Sequence, residues 1–364
     1  MPPLIRAPYV SWTVVVPLLA VVVLAIAWGR NLPGVMVGVV TALLAGAVLA
    51  AVHHAEVVAH RVGEPYGSLV LAVAVTVIEV ALIVTLMVGG GGAAETLARD
   101  TVFAAVIITC NGIVGLSILV GTRGGSVVAF NAEGAGAALA TVATLSTLGM
   151  VVPTFTTTTP GPEFSPPQLA FAAVTALILY GLFVVLQTGR HRDYFLPVMA
   201  DGVVAEQHAA PPSTRAALTS LLLLLVALVA VVGSAKLVSP TIERAVSAAG
   251  LPLSVVGVII ALLILLPETL AAMRAAQHGR MQISLNLAFG SAMASIGLTI
   301  PTIAVASIWL PGPLHLGLDA THIVLLALTC LVAVLTVVPG RATLLQAGVH
   351  LALLAAYLLL AVSP

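Results

Sequence analysis

Apolar runs of about twenty residues recur along the whole chain, separated by short stretches of Gly, Pro and charge. An α-helix rises about 1.5 Å per residue, so each run matches the roughly 30 Å hydrocarbon core of a bilayer. Eleven spanning helices are predicted, at 11–29, 33–54, 67–89, 101–121, 135–154, 168–188, 216–238, 251–275, 283–308, 319–338 and 342–362. Gly and Pro interrupt the fifth and the ninth. The first run follows Arg6 and ends in Ala25-Ile26-Ala27, a layout that signal peptides share. Its length, with Trp12 and Trp28 near the two ends, suits a retained spanning helix better.

Short cytoplasmic loops retain Lys and Arg. With the N-terminus inside, Arg6, Arg61, Arg123, Arg190, Arg192, Arg215, Arg274, Arg280 and Arg341 face the cytoplasm, while Arg30, Arg99, Lys236 and Arg244 face outward. Nine against four predicts a cytoplasmic N-terminus and an outer C-terminus.

Setting the first helix aside leaves two sets of five, and five crossings reverse direction, so the second set is inverted relative to the first. Inverted repeats are common among secondary transporters. The predicted organisation is an N-terminal helix (1–30), a first five-helix repeat (31–188), a cytoplasmic linker (189–215) and a second, inverted repeat (216–364). Pro65 to Met87 and Pro252 to Met273 each carry one acid, and each precedes a helix rich in Gly, Ser and Thr. The linker holds His191, Arg192, Asp193, Asp201, Glu206, His208, Pro211 and Pro212.

Composition agrees with a membrane protein. The 364 residues are 60% hydrophobic and 7% charged, where soluble domains carry about 25% charge. Thirteen basic residues balance thirteen acidic ones, which gives no electrostatic reason to expect nucleic acid. Cys110 and Cys330 both lie in apolar runs and have no metal-type spacing.

Glu79 and Glu268 are the acidic residues placed near the middle of a span. A charge there costs roughly 2.5–3.5 kcal/mol on insertion scales, so intramembrane carboxylates usually line an ion or proton path. No Lys or Arg falls mid-span to neutralise them. One divalent cation, two monovalent cations or two protons would do so, and metal ions and protons then compete for the same oxygens. Hard cations take six or more oxygens, which brings in Thr76, Asn111, Ser291 and Ser295 as further candidate ligands. Pro267 removes a backbone donor beside Glu268, so a broken helix is expected at that acid.

Other polar residues read as structural. His53, Glu56 and His60, beside His54, recur at the inner end of the second helix, as an interfacial polar cap or a proton- or metal-sensing face. His322 and His350 read as packing or hydrogen-bonding residues, and Glu133, Glu163 and Asp319 as interfacial. No zinc-protease, serine-hydrolase or P-loop signature is present, which speaks against an enzyme. A cation channel also uses carboxylates, but a single chain with inverted halves suits alternating access.

At these residues the chain resembles the calcium/cation antiporter superfamily, and within it the bacterial ChaA-type branch of calcium (sodium/potassium)/proton antiporters. The stretches that carry the likeness are His53 to Gly67, Val75 to Val80, Phe130-Asn131 with Gly134-Ala135, Arg190 to Phe195, and Pro267-Glu268 with Arg274-Ala275-Ala276. The resemblance runs from about residue 50 to 310. It implies an eleven-helix, all-α polytopic fold with two inverted five-helix repeats, each contributing one ion-binding glutamate, Glu79 and Glu268. It also implies a multi-pass protein of the bacterial inner membrane that needs no cofactor and exchanges Ca2+, or Na+ or K+, for protons. The family pattern of Gly-Asn ahead of each glutamate is replaced by Val75-Thr76 and Ile264-Leu265, and Ala294 stands where many relatives carry glutamine. Cation preference, and sodium rather than proton coupling, therefore stay open.

Overall fold

A computed structural model describes residues 11–30, 33–63, 66–88, 95–125, 127–196, 212–309 and 312–363. Arg6, Glu64, Pro65, Asp201, Glu206, His208, Pro211 and most of the linker lie outside the described residues.

The fold is almost entirely helical. The spans are α1 (Trp12–Ala27), α2 (Gly34–Val62), α3 (Tyr66–Val88), α4 (Leu97–Gly124), α5 (Ala132–Phe155), α6 (Pro166–Gly189), α7 (Thr214–Ala248), α8 (Ser254–Gln277), α9 (Met281–Ala306), α10 (Ala320–Val337) and α11 (Leu344–Val362). They match the eleven predicted runs in number and order. Polar residues at the starts of several helices satisfy backbone donors left open by the first turn. The Asn131 Oδ1 accepts from the Glu133 and Gly134 amides, and Ser165-Pro166-Pro167-Gln168 forms a capping box with proline in the first turn. A two-stranded sheet, β1 (Val128–Ala129) against β2 (Arg341–Ala342), ties the loop after α4 to the loop before α11.

Similar helix contacts recur in the two halves of the chain. Helix α3 packs on α9 as α8 packs on α4, α6 packs on α9 as α11 packs on α4, and α2 lies along α7. The main core joins α4, α5, α6, α8, α9, α10 and α11. Outside it, α1 rests on α2 and α7. His54 holds that contact, with Nε2 3.0 Å from the Thr13 carbonyl and Nδ1 3.3 Å from the Ser220 hydroxyl.

Two local expectations are corrected. Helix α8 is continuous through Pro267 rather than broken beside Glu268. Packed neighbours let a transmembrane helix carry proline, and Thr269 Oγ1 donates to the Leu265 carbonyl at 2.7 Å within the same turn. Helix α7 continues past the predicted end at 238 to Ala248, taking Pro240, Glu243 and Arg244 into the helix. At 35 residues it would reach about 50 Å, so its charged end projects beyond the hydrocarbon. The irregularities lie elsewhere, as π turns at Ile108–Ile113 in α4, Thr147–Val151 in α5 and Leu186–Arg190 at the end of α6.

Candidate functional site

Glu79 and Glu268 line the same cavity, of about 200 Å³. Helix α3 brings Val75, Thr76 and Glu79 to it, spaced so that they share one face. Helix α9 contributes Asn286, Gly290, Ser291 and Ser295, helix α6 contributes Tyr180, Phe183 and Gln187, and α8 contributes Glu268. A Cβ built on Gly290 would meet nothing within 4 Å, so this stretch of α9 borders open space. Among the described residues, no basic side chain lines the cavity.

Glu79 is 3% exposed, and its Oε2 accepts a 2.9 Å hydrogen bond from the Ser295 hydroxyl. Its Oε1 is buried with no hydrogen-bond partner among the described residues. One turn beyond Ser295, the Thr299 hydroxyl lies near the same carboxylate without forming a good hydrogen bond. The Oε2 of Glu268 is likewise buried and unpartnered among the described residues. The two carboxylates are within electrostatic reach of each other, and Glu56 of α2 also reaches Glu268. A buried, unpaired carboxylate oxygen is costly. Two of them on one cavity without a counter-ion make a site that draws protons or cations.

The cavity extends toward the end of the bundle where α6 finishes and α9 begins. There Asn286, which was not among the ligands expected from the sequence, accepts from Gln282 Nε2 at 2.9 Å and donates to the Phe195 carbonyl at 2.7 Å. Gln282 in turn accepts from the Asn131 amide at 2.7 Å. An amide inside an apolar run was the available signal, because an unpaired amide in hydrocarbon is expensive. Gln187 and Tyr180 carried no such signal, being one polar end-of-helix residue and one ordinary packing aromatic.

Thr76, Ser291 and Ser295 join the two glutamates at the cavity, whereas Asn111 does not. The side chain of Asn111 is fully buried in a separate network: Nδ2 donates to Thr329 Oγ1 at 2.9 Å, and Oδ1 lies 3.1 Å from His350 Nδ1. The His350 Nε2 lies 3.0 Å from Thr336 Oγ1. The π turn of α4 is the reason, since a wider turn re-aims the side chains beyond it. His53, Glu56 and His60 are exposed along α2. Among the described residues no group of three or more His, Cys, Asp or Glu could hold a metal ion. Both cysteines are free.

The sequence pattern of the family described as sodium/calcium exchanger protein matches residues 32–189 and 219–363. The y4hA protein of Sinorhizobium fredii (strain NBRC 101917 / NGR234) is 44% identical over 99% of this chain and 98% of its own length. The sodium-potassium/proton antiporter ChaA of Escherichia coli (strain K12) is 33% identical over 98% of this chain and 97% of its own. Among solved structures, native YfkE superposes with a TM-score of 0.70 at 18% identity, covering 96% of this chain and 97% of that one. The H+/Ca2+ exchanger CAX gives 0.69 at 18% identity, covering 95% and 86%. The chain is thus a multi-pass membrane transporter rather than an enzyme, its cations are cargo rather than cofactors, and it belongs to the sodium/calcium exchanger protein family.

Proposed function

We propose that this protein is a secondary transporter of the bacterial inner membrane that exchanges cytoplasmic Ca2+ for protons by alternating access. Glu79 and Glu268 bind cation and proton in competition, with Thr76, Ser291 and Ser295 completing the oxygen set. One observation carries this reading: both acids border one cavity, and among the described residues neither has a basic partner there and each keeps a buried oxygen without a hydrogen bond. A dication or two protons balance two carboxylates, whereas the empty dianion is costly to bury. A site that resists crossing empty exchanges one occupant for the other.

In this reading the two sets of five helices are inverted repeats, and the N-terminus is cytoplasmic, as the basic residues indicate. The cavity then opens inward, toward the linker and Asn286. A second reading, with Na+ or K+ as the cargo, draws on the small number of fixed oxygens at the cavity. A relative named as a sodium-potassium/proton antiporter points the same way. Ca2+ takes six to eight oxygens, so water must supply the remainder for Ca2+ to be carried.

The test uses energised inverted membrane vesicles in which collapse of the pH gradient is followed on adding Ca2+, Na+ or K+. Saturable, cation-triggered collapse that Glu79→Gln and Glu268→Gln each abolish supports the exchanger, and the cation that triggers it decides the cargo. Cation current without a proton gradient, indifferent to both changes, would overturn it in favour of a channel.

A further inference from the structure

The ion cavity is closed at the end opposite Asn286 by a small, separate apolar cluster. Ile83, Ala98, Ile303 and Leu316 form its buried centre, with Met87, Phe164, Leu169 and Leu314 packed around them. Ile83 lies one helical turn beyond Glu79 on the same face of α3, and Ile303 two turns beyond Ser295 on α9. Leu316 belongs to neither helix. It is carried by the irregular stretch between α9 and α10, and it is only 3% exposed.

That stretch is fastened on three sides. The His315 amide donates to the Glu95 carbonyl at 3.1 Å, the Gly317 amide to the Pro162 carbonyl at 2.9 Å, and the Leu318 amide to the Met150 carbonyl at 2.8 Å. Arg99 Nη1 donates to the Gly317 carbonyl at 3.2 Å, and Thr154 Oγ1 to the Leu318 carbonyl at 2.7 Å. The approach at Gly317 is tight: a Cβ there would stand 2.6 Å from Thr154 Oγ1 and 2.7 Å from Pro162 Cβ. Beside Leu316, the His315 ring bridges two acids from two other segments, with Nε2 3.0 Å from Glu163 Oε1 and Nδ1 3.7 Å from Glu95 Oε2. The other charges nearby are already paired, Arg99 with Asp100 at 2.8 Å and His322 with Asp319 at 2.5 Å.

We infer that residues 312–319 form the outer gate of the transport path, with Leu316 as its plug and His315 as a latch that the external proton concentration locks. The inference rests on the site proposed above only for the position of the path. A protonated imidazole pairs with both Glu95 and Glu163, whereas a neutral one can accept or donate at either nitrogen but carries no charge to hold two carboxylates. Histidine ordinarily changes charge between about pH 5 and 8. The latch is therefore closed in acid and loosened as external pH rises, so outward opening grows easier in alkaline surroundings. The protons that the transport step consumes are then not the ones that the gate reads, because Glu79 lies below the plug and His315 beside it.

The test places a cysteine at Ile83 in the full-length protein with Cys110 and Cys330 replaced by alanine, reconstituted right side out. Labelling by a membrane-impermeant thiol reagent is normalised to a cysteine at the exposed Ile308, which removes the reagent's own pH dependence. Labelling is expected to rise roughly three- to tenfold between about pH 6 and pH 8, the range that two partly exposed ion pairs can supply. His315→Gln should be high at both values and His315→Lys low at both, and Glu163→Gln should match His315→Gln. A residue that merely supports the fold would move the Gln and Lys variants in the same direction. A flat wild-type profile, or a pH response that survives in both His315 variants, overturns the latch. Labelling does not depend on turnover, so a pH response with no cation-dependent exchange would sink the proposed function and leave the gate standing.

Discussion

Glu79 and Glu268 face one cavity, but the helices packed against them treat the two acids differently. Against Glu79, α9 presents Ser295 at 2.9 Å and a second hydroxyl, Thr299, one turn on. Against α8, which carries Glu268, packs α4 in the same direction, Gly257 against Asp100 and Ala276 against Gly121, so Glu268 is level with the turn around Asn111, and its Oε2 finds no hydrogen bond among the described residues. The amide of α4, Asn111, turns away to His350 and Thr329. One extra residue in a helical turn rotates the side chains beyond it by about 100°, and the π turn at Ile108–Ile113 falls at Asn111. Two halves with corresponding packing thus supply unequal numbers of oxygens. A bound cation is expected to sit toward Glu79, with water completing the Glu268 side.

The largest test of that inequality removes each charge in turn. Glu79→Gln should weaken cation binding by more than about 100-fold, as loss of one partner from a buried charged pair does. Glu268→Gln should cost only about tenfold, because water is expected to share that side. Calorimetric titration of the purified protein measures both. Equal losses would mean that the cation is held symmetrically. Next in size, Asn111→Leu leaves Thr329 and one nitrogen of His350 without a partner inside the bundle. It should lower stability by about 1–3 kcal/mol, read as an earlier thermal transition, with cation affinity unchanged. A clear fall in affinity would return Asn111 to the ion site.

The number and order of the spans were legible because hydrocarbon thickness fixes the length of an apolar run. The two acids were legible because charge at that depth is rare. Thr76, Ser291 and Ser295 were legible as hydroxyls on faces near those acids, but Asn111 was not, since a π turn leaves no proline or other mark in Thr109-Cys110-Asn111-Gly112. Pro267 misled for the opposite reason: proline marks a missing donor, and whether the helix breaks depends on packing that sequence does not display. The predicted span stopped at 238, short of Pro240, Glu243 and Arg244, yet a helix can run on past the bilayer once its apolar face ends. Leu316 was invisible as a site residue, because a leucine between two spans acquires meaning only from the four segments that close around it.

Two smaller changes sharpen the contrast within the Glu79 half. Ser295→Ala removes a hydroxyl bonded to a charged group, a contact worth about 1.5 kcal/mol, so cation affinity should fall roughly tenfold while the thermal transition holds. An unfolding shift with unchanged affinity would make Ser295 a packing residue. Gly290→Ala is expected to do least. The added methyl meets no atom within 4 Å, and alanine favours a helix over glycine by up to about 1 kcal/mol, so stability should hold or rise slightly. Affinity should stay within about twofold, given that the methyl takes roughly the room of one water from a cavity that holds several. If Gly290→Ala instead impaired exchange as severely as Ser295→Ala, the open space beside α9 would have to close during the cycle. The α9 backbone would then approach the acids themselves, and the oxygens missing around Glu268 would come from that movement rather than from water.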